Sequence, residues 1–166
     1  MAKVINRRLI LNVIIAAFTL FLQFDSSILD GDFAFFPLFP LGFTVVISMF
    51  TSELGAFVCG MIMGIFVDSS SSVHFSFNTI FYALIAVTVS LLVRYLFNNN
   101  VRSCVVISFF AAIFLLTVRY LVSFPLPGFN NVFKHFLKDI VPSSILTVIF
   151  SVVLFYIEKK IFKTLR

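Results

Sequence analysis

Apolar residues run along this chain in long blocks rather than at every second or third position. The blocks cover residues 9–29, 37–52, 53–68, 77–97, 103–123 and 141–158, and polar or charged clusters separate them. Period-two alternation would mark half-buried strands, and one apolar stripe would mark a surface helix. Blocks that are apolar on every side mark helices solvated by lipid. A helix needs about 20 such residues to cross ~30 Å of hydrocarbon, with roughly 17 as the lower limit. The pattern therefore predicts an all-α fold, an integral membrane bundle of six transmembrane helices forming one polytopic domain over 1–166.

The polar punctuation refines this picture. Asp25, Asp30 and Asp32 make an acidic loop after the first block, and Pro37 and Pro40 hold the start of the second irregular, delaying its helix to about Leu41. The third block is the shortest, with fourteen residues (Leu54 to Val67) between Glu53 and Asp68. Ser69 to Ser72 with His74 form a turn, Asn98-Asn99-Asn100 a loop, and Phe124-Pro125-Leu126-Pro127-Gly128 ends the fifth block. Beyond it, Phe133, Phe136, Leu137 and Ile140 fall at i, i+3, i+4 and i+7. That spacing fits either a helix lying in the membrane interface or an extension of the last helix.

Composition supports lipid as the solvent: 61% of residues are hydrophobic and 11% charged, against roughly 45–50% and about 25% in soluble domains. The net charge of +5 does not point to nucleic acid, because the basic residues cluster at block ends rather than on one face in water. Lys3, Arg7 and Arg8 precede the first block as in a signal peptide, but Phe24-Asp25-Ser26-Ser27 offers no small-residue cleavage pattern, so an uncleaved span is expected. Cys59 and Cys104 sit in or beside apolar runs with no partner nearby in sequence, as buried small hydrophobes do.

Charge also decides whether residues 33–67 hold one span or two, since cytoplasmic loops are enriched in Lys and Arg. With six spans, Lys3, Arg7, Arg8, Arg94, Arg102, Lys159, Lys160, Lys163 and Arg166 are cytoplasmic, and Arg119, Lys134 and Lys138 lie outside: nine against three. Five spans give six against six. Six spans with both termini cytoplasmic is the expected topology.

The most specific pattern is in the third block, where Ala56, Gly60 and Gly64 recur every fourth residue and Asp68 extends the stripe by one turn. Small residues on one face let another helix backbone approach closely, either within the bundle or across a dimer interface. Glu53 and Asp68 lie ~22 Å apart along such a helix, less than the hydrocarbon thickness, so at least one carboxylate needs a partner in protein or water. Arg119 falls on the same side as Asp68, so the two form an intramembrane ion pair or else each snorkels to the interface. His74 and His135 have no companions at ligand spacing, so no metal and no cofactor is expected. No G-x-S-x-G, phosphate-binding loop, H-E-x-x-H or paired catalytic carboxylates occur, so an enzyme is not expected.

The segment Gly60-Met-Ile-Met-Gly64-Ile-Phe-Val-Asp68, followed by a serine-rich turn and an apolar span through Asn78 and Tyr82, resembles the bacterial rod shape-determining protein MreD family. The resemblance is most specific over 37–98. Phe75-Ser76 stands where such proteins often place a glycine after the turn. The resemblance implies a multi-pass protein of the bacterial cytoplasmic membrane, a non-catalytic scaffold of the cell-elongation complex. Its implied partners are membrane lipid, MreC, MreB filaments and the peptidoglycan synthases of lateral wall growth. The bundle is also similar in outline to the substrate-binding components of energy-coupling-factor transporters. A small-solute, vitamin-like binding subunit is therefore the alternative, although only adjacent Ala16-Ala17 appear where those subunits carry an A-x-x-x-A stripe.

Overall fold

A computed structural model of the chain describes residues 2–26, 38–70, 77–123 and 132–164, with side chains over 9–23, 38–69, 77–119 and 140–163. These residues form six α-helices: α1 (Ala2–Ser26), α2 (Phe39–Phe50), α3 (Glu53–Ser70), α4 (Phe77–Tyr95), α5 (Val101–Ser123) and α6 (Val132–Thr164). Three stretches, Phe77–Tyr95, Val101–Arg119 and Ile140–Lys163, are long and apolar enough to cross a membrane. Shorter apolar stretches lie at Leu9–Gln23 and Phe39–Phe50. Residues 27–37, 71–76 and 124–131, which hold most of the acidic loop, the turn with His74 and the Pro-Gly break, lie outside the described residues, as do the side chains of Lys134, His135 and Lys138.

One boundary differs from expectation, and at 133–140 one of the two open alternatives holds. α2 starts at Phe39 rather than Leu41, with Pro40 in its first turn; there the missing N–H is one the helix leaves unbonded anyway. The 133–140 segment is not a separate interfacial helix but the start of α6, which runs unbroken for 33 residues through Pro142. At about 50 Å that helix is longer than the hydrocarbon layer is thick.

Contacts give the direction of each helix from α2 onward. At one end of the α3–α4 hairpin, Asp68 bonds to Asn78 and Thr79, and at the other, Glu53 meets Arg94, so the two run antiparallel. The Thr51 carbonyl at the end of α2 accepts a bond from Ser90, and the Met49 carbonyl accepts one from Asn99. α2 therefore ends where α4 ends. α6 runs parallel to α2: the Leu38 N–H donates to Thr147 Oγ1 at 3.1 Å, and the Phe50 ring lies 5.3 Å from Phe155 and 5.9 Å from Phe162. The contact between Phe81 and Phe114 sets α5 antiparallel to α4. Successive helices from α2 to α6 thus alternate in direction. Arg94, Arg102, Lys159, Lys160 and Lys163 gather at one end, called here the basic end; Asp68 lies at the other.

α2 is the central element. Ten consecutive residues, Pro40 to Met49, are buried, and the helix touches each of the other five. At 12 residues it is only about 18 Å long, short of the ~30 Å a lipid-facing span requires. Its position inside the bundle shields its backbone from lipid.

The bundle buries small polar side chains beside an apolar core and exposes large apolar ones. Thr44, Ser48, Asn78, Ser90, Ser108, Ser143, Ser144, Thr147, Ser151 and Glu158 are buried, while Phe21, Ile80 and Phe110 on the perimeter are 66%, 62% and 66% exposed. Most buried hydroxyls donate to their own helix: Thr44 to the Pro40 carbonyl, Ser48 to Thr44, Thr147 to Ser143 and Ser151 to Thr147. Satisfied this way, they present small faces on which α2 and α6 pack closely.

Candidate functional site: the α3–α4 clamp

The stripe singled out in the sequence forms a seam of close backbone approach between α3 and α4. Ala56, Gly60 and Gly64 are all buried, and the two glycines meet the α4 backbone directly. A Cβ at Gly60 would stand 2.7 Å from the Tyr82 carbonyl oxygen and 2.9 Å from Ala83 Cα. A Cβ at Gly64 would overlap Thr79 Cα and stand 2.8 Å from Thr79 N. Only glycine permits this approach, because the obstacle is main chain and cannot rotate away. Of the two readings of the stripe, the seam within the chain is the one these contacts describe.

Asp68 closes the same face one turn further on. Its Oδ1 accepts from the Asn78 N–H at 3.0 Å and from Asn78 Nδ2 at 2.9 Å. Its Oδ2 accepts from the Thr79 N–H at 2.8 Å and from the Thr79 hydroxyl at 2.6 Å. The first N–H groups of a helix have no partner within it, and that end carries the positive pole of the helix dipole. A carboxylate placed there satisfies two such groups and is stabilised by the dipole in return. Phe77 packs on Phe81 beside this turn, with ring centroids 4.5 Å apart.

These contacts give Asp68 partners that the sequence reading did not name. Its four described bonds come from α4, and an ion pair joins Glu53 to Arg94. Glu53 Oε1 accepts from Arg94 Nη1 at 2.5 Å across exposed surface, and Arg94 also lies 5.8 Å from the Tyr95 ring. Each hairpin end is thus fastened by one carboxylate of α3. Sequence reasoning missed Asn78 and Thr79 as the donors to Asp68. The available signal was an Asn-Thr pair in the first turn of an apolar block, two residue types that gather at helix starts.

The Asp68 oxygens are already occupied by donors, Cys104 is buried and Cys59 half-buried, both as free thiols, and among the described residues no three His, Cys, Asp or Glu side chains group as metal ligands. The arrangement defines a class: an all-helical protein with an apolar perimeter and helices suited to a membrane, its interior fixed by backbone approach and helix-end capping. Compared with known proteins, the chain matches no family model, no curated protein and no solved structure.

Proposed function

We propose that this chain is a six-span membrane protein of the bacterial cytoplasmic membrane, with both termini cytoplasmic, acting as a non-catalytic scaffold of the rod complex. In this role it holds the transmembrane helices of MreC and, through it or directly, links MreB filaments to the peptidoglycan synthases of lateral wall growth. The observation that carries the reading is the clamp. The segment Gly60 to Asp68, on which the resemblance to the MreD family rests, spends its small residues and its carboxylate on fixing α3 against α4. A rigid bundle with wide apolar faces suits the seating of partner helices, which in lipid depends on close packing rather than on the hydrophobic effect. The gathering of Arg94, Arg102, Lys159, Lys160 and Lys163 at one end supports a positive cytoplasmic side.

A vitamin-like solute would need a pocket combining apolar walls with a few convergent polar groups. The space between α4 and α5 is lined almost wholly by apolar side chains, which does not favour that alternative. Depletion of the protein in a rod-shaped host tests the function. Rounded cells, together with crosslinks from perimeter cysteines to a single-span MreC-like partner, are expected. Unchanged morphology with lost solute uptake would contradict the scaffold role.

A further inference from the structure

α4 and α5 are joined by a short connection at the basic end yet touch only lightly, and a groove of about 420 Å³ runs between them. Leu84, Thr88 and Leu92 line one wall, Val106, Phe110 and Phe114 the other, and Phe97 closes the basic end. Each wall follows every fourth residue, so its outer residues share one helix face. Eight residues at 1.5 Å each make the groove ~12 Å long, close to the ~15 Å depth of a single leaflet. Arg102 extends the α5 wall by one turn toward the basic end and is exposed. Tyr95, 72% exposed, stands at the same level, where amphipathic aromatic rings favour the boundary between headgroups and hydrocarbon.

We propose that this groove binds an anionic phospholipid from the leaflet at the basic end, one acyl chain lying between α4 and α5 and the phosphate resting on Arg102. The inference depends on the membrane reading above. Three features favour a lipid over a partner helix. The groove is one leaflet deep, whereas a crossing helix would seek a seam along the full ~30 Å. Its walls carry long, branched and aromatic side chains, with few of the small residues that let helix backbones approach. A flexible hydrocarbon chain can fill so irregular an apolar slot without leaving buried polar groups unpaired. The basic residue sits at one end only, where a single headgroup would be. Arg94, held by Glu53, is left to the hairpin.

The test uses the full chain, purified and stripped of lipid in detergent, then offered phosphatidylglycerol or phosphatidylcholine and examined by native mass spectrometry. One retained phosphatidylglycerol per chain is expected, in preference to phosphatidylcholine. Arg102→Gln should weaken phosphatidylglycerol retention about five-fold, the effect of one basic residue near an anionic headgroup, and leave phosphatidylcholine unchanged. Thr88→Trp, which fills the groove from an exposed position, should abolish retention while the protein still folds by circular dichroism. Equal retention of the two lipids, or retention surviving Thr88→Trp, overturns the proposal. So does a Thr88→Trp variant that keeps its lipid but loses a co-purifying membrane protein, which would make the groove a protein seam. Because binding is read on the isolated chain, its failure leaves the scaffold reading, tested by cell shape, standing or falling separately.

Discussion

Replacing Gly64 by alanine adds one methyl group at the point of closest approach between α3 and α4. The new Cβ would overlap Thr79 Cα and lie 2.8 Å from Thr79 N and 2.9 Å from the Asn78 carbonyl oxygen. All three are backbone atoms, so relief requires the helices to part. Overpacking of this kind costs about 1–3 kcal/mol. Separation also stretches the four bonds to Asp68, now 2.6 to 3.0 Å, and hydrogen bonds to a charged group contribute about 1.5–3 kcal/mol each. Against this, Gly→Ala in a helix interior gains about 0.5–1 kcal/mol. The net expectation is a loss of about 2–4 kcal/mol. Gly55 on the same helix supplies the control, because its Cβ would meet only Ser52 Oγ and Thr51 Cβ, both at 3.5 Å. Gly55→Ala should therefore be neutral or stabilising by up to about 1 kcal/mol. Reversible unfolding in mixed micelles, followed by circular dichroism against mole fraction of SDS, compares the two. If Gly64→Ala unfolds like the parent, or Gly55→Ala is the more damaging, the clamp is not the close backbone seam described here.

Three further outcomes follow from the same contacts. In a double-mutant cycle on unfolding free energy, Asp68→Asn and Thr79→Val should couple by about 1 kcal/mol, whereas Asp68→Asn and Arg119→Gln should add to within ~0.5 kcal/mol. Coupling to Arg119 would establish the Asp68–Arg119 ion pair over separate snorkelling. Thr147→Val leaves the buried Leu38 N–H without its acceptor and should cost about 1–3 kcal/mol, while Ser144→Ala, which removes a hydroxyl bonded to its own helix, should stay within ~0.5 kcal/mol. Glu53→Gln should change stability by less than about 1 kcal/mol, and the effect should fade with added salt, because the Arg94 side chain in that pair is 62% exposed.

How much of this was legible in the sequence depends on the kind of force involved. Every helix was readable from its apolar block, because charged and turn-forming residues interrupt the apolar runs where helices end. The stripe at Ala56, Gly60 and Gly64 was readable too, since small residues at four-residue spacing fall on one helix face. The central place of α2 was not. Phe39 to Phe50 is apolar on all sides, and in lipid a buried helix and a perimeter helix share that composition because hydrocarbon and protein interior are alike apolar. Gly42, Thr44 and Ser48 were the only hint. A Cβ on Gly42 would come 2.8 Å from Ser151 Oγ, a contact with α6 that no local pattern announces. The partners of the two α3 carboxylates were hidden for a related reason. Proximity along the chain narrows the candidates, but finding Asn78 and Thr79 requires the rotation of α4 about its axis, which only packing sets.

The central claim is that hydrocarbon surrounds this bundle, and site-directed spin labelling in bilayers tests it most directly. With Cys59 and Cys104 replaced by alanine, single labels at Ile62, Ile80, Phe110 and Ile149, all exposed apolar perimeter positions, should collide freely with oxygen and be shielded from a water-soluble nickel chelate. Ready collision with the chelate at these four positions would place them in water, and the membrane account would not survive it.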